Sequence, residues 1–319
     1  MMKPPYELSN RILEFYGLIN EALGQCNSLR LVKPEATLRK QNRIKTIHAS
    51  LAIEGNTLDI EQITAIINHA HVIGRKKDIL EVQNAIKAYD ALHEIDAFSI
   101  HDFLKIHRIL MAGLIDHPGQ FRTTHVGIMK GTDVKHLAPS FTMVPTLMQD
   151  LFTYLCNDPD VVMIKSCVFH YEMEFIHPFE DGNGRMGRYW QTKLLMAAHP
   201  IFEYIPIEET IKHRQAEYYN VLAEADRSGT STVFIEYMLH AIHESLRNTL
   251  EAARIPTIDV TRRTEYALAS FNEWFDRKDY LRVNKGISPA TASRDLKQLV
   301  NEGLLEVRGK GRMTQYRKK

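Results

Sequence analysis

The chain has 319 residues, with 40 Lys and Arg against 39 Asp and Glu and a formal net charge of +1. Hydrophobic residues at 44% and charged residues at 25% are ordinary for a soluble globular chain. No apolar run approaches the roughly 20 residues that span a bilayer. Cys26, Cys156 and Cys167 are scattered without metal-ligand spacing, and Met1–Tyr6 lacks a signal-peptide core, so a cytoplasmic, reducing location and no membrane partner are expected.

In chain order, the first informative segment is Thr46–Thr57. Ser50 and Glu54 are four residues apart and share a helix face, and Gly55-Asn56 reads as the helix C-terminus, where both residues tolerate the left-handed conformation. Gly119-Gln120-Phe121-Arg122 reads as the end of a helical stretch. Val126–Met129 and Val134–Leu137 read as two strands around the turn Lys130–Asp133, followed by a helix from Val144 to Cys156. Val161 to Ile176 is apolar on several faces and predicts a largely buried helix that gives way at Pro178. The run His177-Pro178-Phe179-Glu180-Asp181-Gly182-Asn183-Gly184-Arg185-Met186-Gly187-Arg188 follows. A helical pattern resumes at Arg185 and continues to Ala198, which sets Gly182-Asn183-Gly184 at a helix N-terminus, where free N–H groups and the dipole favour anions. Arg185 and Arg188 lie one helical turn apart and can reach one phosphate chain. Asp181, next to Glu180, is the hard-cation ligand of the turn, and Mg²⁺ needs only one or two protein carboxylates when phosphates supply the rest. A histidine, His177, stands beside them as a proton acceptor. Tyr218-Tyr219 with Leu222 reads either as core or as a face for an adenine ring.

Past Ile255-Pro256-Thr257, a plausible linker, the pattern changes. Thr264–Phe275 and Arg277–Val283 read as helices, with a turn at Lys285-Gly286. Ser288-Pro289 caps and opens a third helix that turns Leu296, Leu299 and Val300 inward and leaves Thr291, Arg294 and Lys297 outside. A hairpin follows over Leu304–Val307 and Met313–Arg317. From Thr261 onward 14 Lys and Arg face 7 Asp and Glu. This unit resembles a winged helix domain, and the charge asymmetry fits duplex DNA as a partner; contacts to a protein or a second subunit are the alternative.

The run from His177 to Arg188 is similar to the signature of the Fic family, His-x-Phe-x-Asp/Glu-Gly-Asn-Gly-Arg-x-x-Arg, at every defined position. The resemblance implies transfer of AMP from Mg-ATP to a hydroxyl of a target protein, or of the chain itself. It makes His177 the base, Phe179 the loop's anchor in the core, and Asp181 the Mg²⁺ ligand. Gly182, Asn183 and Gly184 become the anion hole, with Arg185 on the β-phosphate and Arg188 on the γ-phosphate. Glycine at 184, rather than the lysine of phosphotransferring members, favours the AMP reading. Ser50 and Glu54 match the family's inhibitory helix, Ser/Thr-x-x-x-Glu-Gly/Asn, in which the glutamate pairs with the second arginine, here Arg188. The hairpin matches a flap that docks an extended target segment. The expected fold is mainly α, with a helical core, a β-hairpin flap and a C-terminal winged helix-turn-helix. The expected divisions are residues 1–95, carrying the inhibitory helix, 96–254 as the catalytic core, and 255–319. Removal of AMP, a DNA-binding regulator with a non-catalytic core, and a homodimer stay open.

Overall fold

The computed structural model describes residues 3–28, 36–125, 127–130, 133–254, 264, 267–271, 273–284, 287–309 and 311–319. Two compact units divide the chain, residues 1–250 and 251–319. The turn positions 131–132, the linker Ile255-Pro256-Thr257 and the turn Lys285-Gly286 lie outside the described residues.

The first unit is helical: α1 Asn10–Ser28, α2 Ala36–Ile53, α3 Ile60–Ile67, α4 Lys76–Asp90, α5 Ile100–Leu110, α6 Val144–Asn157, α7 Val162–Ile176, α8 Asn183–Ala198, α9 Ile207–His213, α10 Gln215–Ser228 and α11 Thr232–Arg254. Among the described residues one antiparallel hairpin, β1 Gly127–Lys130 and β2 Asp133–Leu137, interrupts them, pairing Gly127 with Leu137 and Lys130 with Asp133. Short-range chemistry sets several helix starts. Asp59 and Gln62 form a reciprocal capping box at α3, and Ser99 caps α5.

Two helices, α7 and α8, form the axis of this unit. α7 is buried nearly all round, as its lack of a polar face requires. Its one buried lysine, Lys165, donates to the Leu155 carbonyl at 2.9 Å. α8 inserts Trp190 and Tyr189, and each polar tip finds a carbonyl: Trp190 Nε1 donates to Ala97 at 3.0 Å and Tyr189 Oη to Ala88 at 2.8 Å. Phe103 of α5 gathers Phe152, Phe169, Phe179 and Trp190 around itself, with ring centroids 5.1–5.9 Å apart. This aromatic knot lies directly beneath the loop that joins α7 to α8. The N-terminal arm is tied down separately, since Lys3 and Tyr6 each reach Asp160 at 2.7 Å.

Two expectations about elements need correction. Gly119–Arg122 does not end a helix: α5 stops at Leu110 and irregular turns carry the chain to the hairpin. In the second unit, the helix predicted to reach Phe275 stops earlier. Phe275 instead bridges Tyr316, because its backbone and ring complete the small sheet.

That second unit contains α12 Arg277–Val283, α13 Pro289–Asn301 and the hairpin β3 Leu305–Arg308 with β4 Gln315–Lys318. Its own core holds Ala267, Phe275, Tyr280, Ala292, Leu296, Leu299 and Leu305. Ser288 caps α13 with Pro289 in the first turn, and Arg294 and Lys297 are exposed. Trp274 is flanked by the guanidinium groups of Arg308 and Arg317, 4.0 and 4.8 Å from its ring centre.

Candidate active site

The site grows from the end of α7. His177 takes the left-handed conformation, φ 49° and ψ 61°, and stops the helix there. A non-glycine residue holds that geometry only when its surroundings enforce it. Arg122 supplies the enforcement. Its Nε donates to the His177 carbonyl at 2.8 Å, and its remaining nitrogens reach the carbonyls of Ile176, Thr124 and Pro139. A buried cation at a helix C-terminus also suits the helix dipole. His177 Nδ1 lies 3.3 Å from the Glu174 carbonyl, which can only accept, so that hydrogen bond sets the proton on Nδ1 and the lone pair on Nε2.

Phe179, fully buried, fastens the loop as expected. Its ring stacks on His107 with centroids 3.5 Å apart and planes 5° from parallel. Asn183 clamps the same residue, accepting from Phe179 N at 3.0 Å and donating to its carbonyl at 2.9 Å. The Asn183 side chain is thus committed to the loop, and what it offers an anion is its backbone N–H in the first turn of α8. Gly182, at φ 88°, makes the bend into that turn; a Cβ there would also collide with Met111.

His107 is a second brace that sequence reasoning missed. Gly119 N–H donates to its Nδ1 at 2.8 Å, so the other nitrogen carries the proton and donates to the Asp181 carbonyl at 3.0 Å. Burial pushes the imidazole down to about 4, and it stays neutral at physiological pH. The Asp181 carboxylate is half-exposed and accepts from Gly182 N at 2.6 Å and from Arg185 Nη2 at 2.9 Å.

Both arginines are buried, and each meets carboxylate. Arg185 pairs with Asp181 and also with Glu81 of α4, at 3.2 Å. Arg188 donates from Nε to Ser50 Oγ at 3.2 Å and from Nη2 to the Ser50 carbonyl at 2.9 Å and Glu54 Oε1 at 2.8 Å. Burial is the largest single influence and would lower the Arg188 pKa; the Glu54 charge and hydrogen bond, with Tyr218 and Glu174, together outweigh it and hold the group above its ordinary value. In this position the Glu54 carboxylate lies directly against Gly184. A Cβ at Gly184 would overlap Glu54 Oε1 and crowd Arg188 Nη1 to 3.0 Å. The structure therefore brings Ser50, Glu54, Gly184 and Arg188 into one cluster, although 134 residues separate Glu54 from Arg188. Glu180 is exposed beside the loop. Tyr218 belongs to the core, buried and hydrogen-bonded to His170 at 3.0 Å, while Tyr219 is exposed.

Among the described residues, no group of three or more His, Cys, Asp or Glu assembles as a metal cage. A divalent cation here would rest on Asp181, with phosphate and water oxygens as its other ligands. A half-exposed lone carboxylate at an anion-binding helix terminus suits Mg²⁺ in that mode.

Residues 97–195 match the family described as Fic/DOC. Over its whole length the chain is 37% identical to a Fic family protein of Desulfovibrio desulfuricans G20 whose crystal structure covers 100% of this chain and is itself covered to 98%, with a TM-score of 0.80. The chain belongs to the Fic family. Among curated Fic relatives, it is 28% identical to protein adenylyltransferase fic-1 of Caenorhabditis elegans, over 65% of this chain and 41% of that protein. It is 29% identical to protein adenylyltransferase Fic of Culex quinquefasciatus, over 59% and 38%. The chain thus spans about two fifths of the length of these relatives. The solved structure of C. elegans Fic-1 residues 134–508 shares the fold, at 23% identity and a TM-score of 0.58 over 75% of this chain and 74% of that one.

Proposed function

We propose that this Fic protein is a protein adenylyltransferase that transfers AMP from Mg-ATP to a target hydroxyl and is held inactive by Glu54. The observation that carries this reading is the convergence of one left-handed histidine, a half-exposed aspartate and two buried arginines on the N-terminus of α8. The names of the curated relatives support the same activity. In the reaction, the target hydroxyl oxygen bonds to the α-phosphorus of ATP. The bond from that phosphorus to the bridging oxygen breaks, and pyrophosphate leaves. His177 Nε2 accepts the hydroxyl proton, with Nδ1–H held by the Glu174 carbonyl. The α8 N-terminal amides and Arg185 stabilise charge on the α- and β-phosphates, and Arg188 holds the γ-phosphate. Asp181 would hold Mg²⁺, which neutralises phosphate charge when bound.

The Glu54–Arg188 pair supports autoinhibition. A carboxylate at 2.8 Å occupies the face of Arg188 that a γ-phosphate needs, and two anions cannot share it cheaply. Glu54 is 30% exposed, so it can leave without breaking a sealed core.

The decisive assay for the activity uses ATP labelled at either the α- or the γ-phosphate, with the Glu54→Gly protein. Label from the α-position, and none from the γ-position, should stay on protein. Retention of γ-label instead would make the chain a phosphotransferase and refute the proposal.

The C-terminal unit supports a second reading, a winged helix that contacts duplex DNA. Arg294 and Lys297 are exposed on α13 while Leu296 and Leu299 are buried. Arg308 and Arg317 are stacked on Trp274, which favours the helix over the strand arginines as the DNA-facing cations.

A further inference from the structure

A guanidinium that is only 6% exposed needs a compensating anion, and Arg185 has two of different kinds. Asp181 is 47% exposed and, on the reading above, turns to a cation when nucleotide arrives. Glu81 is 7% exposed and fixed at both oxygens. Oε1 accepts from Arg185 Nη1 at 3.2 Å, with Lys77 Nζ 3.9 Å away on the solvent side, and Oε2 accepts from Asn56 Nδ2 at 2.7 Å. Asn56 is pinned in turn: it donates to the Asp78 carbonyl and accepts from Leu58 N, both at 3.1 Å. Arg185 Nε is buried with no hydrogen-bond partner, so the two carboxylates do not satisfy the guanidinium completely.

We propose that Glu81, braced by Asn56, is a positioning residue that orients Arg185 toward the nucleotide's phosphates and stays paired with it when phosphate replaces Asp181. The role differs from that of Glu54. Glu54 must leave Arg188 for ATP to bind productively, whereas Glu81 sits behind Arg185 in a closed hydrogen-bond chain and has no reason to move. The inference rests on the nucleotide-binding reading of the site.

The test uses full-length Glu54→Gly protein as parent and measures calorimetric binding of ATP, ADP and AMP in Mg²⁺ buffer. Adding Glu81→Ala should weaken ATP and ADP about tenfold, because Arg185 loses its fixed partner. AMP has no β-phosphate for Arg185, so its affinity should change by less than about twofold. Glu81→Gln should recover most of the loss, since an amide oxygen still accepts from Nη1. Asn56→Ala, which removes only the brace, should weaken ATP about threefold and leave AMP alone. Parallel losses for all three nucleotides would assign Glu81 a general structural role and overturn the proposal. Unchanged or tighter ATP binding would overturn it equally. If Glu81→Ala fails to fold by thermal melting, Asn56→Ala decides: a loss of ATP affinity of about threefold with AMP spared counts for the proposal, and unchanged ATP binding or an equal loss for AMP counts against it. A parent that binds no ATP overturns the nucleotide reading itself; a parent that binds it with indifferent variants overturns this inference alone.

Discussion

Single residues in this site divide by what they touch, and substitution should separate them. His177 faces the incoming hydroxyl in the proposed reaction, so His177→Ala in the Glu54→Gly background should abolish transfer while ATP affinity changes by less than about threefold. Asp181→Ala should weaken Mg²⁺-dependent ATP binding as well as turnover, and a calorimetric comparison of the two variants checks the split. A His177→Ala protein with full transfer activity would remove the histidine from the mechanism. The twelve residues from His177 to Arg188 were readable because the chemistry is contiguous in the chain. Ser50 and Glu54 were readable from their spacing on one helix face. Arg122, His107 and Glu81 were not, because each acts across tertiary distance: 55 residues to His177, 74 to Asp181 and 104 to Arg185. Nothing local distinguishes a buried bracing arginine or histidine from an exposed one. Arg122 stood in a segment read for its backbone alone.

Among the elements, the junction of α7 and α8 concentrates the stability that the site depends on. Phe179 is the plug of that junction, stacked on His107 and Phe103. Phe179→Ala should cost about 3–5 kcal/mol in chemical denaturation, at the upper end if the aromatic knot cannot collapse. A loss below about 1 kcal/mol would mean that the loop is held by Asn183 and Arg122 instead. His107 gives the junction a pH signature. Its folded pKa, about 4, lies below the ordinary 6.5, so its stabilisation is complete above 6.5 and is lost as pH falls toward 4. The stability advantage of wild type over His107→Gln should therefore shrink by about 2 kcal/mol between pH 7 and pH 4.5, a difference that cancels the titration of other groups. An advantage that is constant with pH would contradict a buried neutral imidazole. Helix boundaries set by proline, capping side chains or left-handed residues were legible, as at Ser288-Pro289 and Gly55. The failures at Gly119–Arg122 and Phe275 have a different cause. There the backbone satisfies itself through a distant partner, the Pro178 carbonyl for Arg122 N and Tyr316 for Phe275.

For the whole molecule, a mainly helical fold was foreseeable because apolar periodicity runs through most of the chain and strand patterns occur only at two hairpins. The charge asymmetry was legible too, and it carries the DNA reading. In the full-length protein, Arg294→Ala with Lys297→Ala should weaken duplex binding and reduce its salt dependence, since two fewer cations release counterions. An unchanged titration would move any DNA contact away from α13. Nucleotide transfer at a site closed by its own glutamate is the activity proposed for the first unit. It is tested most directly by measuring self-labelling from α-labelled Mg-ATP by wild type and Glu54→Gly at matched protein and nucleotide concentrations. Removal of the carboxylate that holds Arg188 should raise labelling at least about tenfold, the factor equivalent to about 1.4 kcal/mol of competing ion pair. Equal labelling of the two proteins would contradict the account.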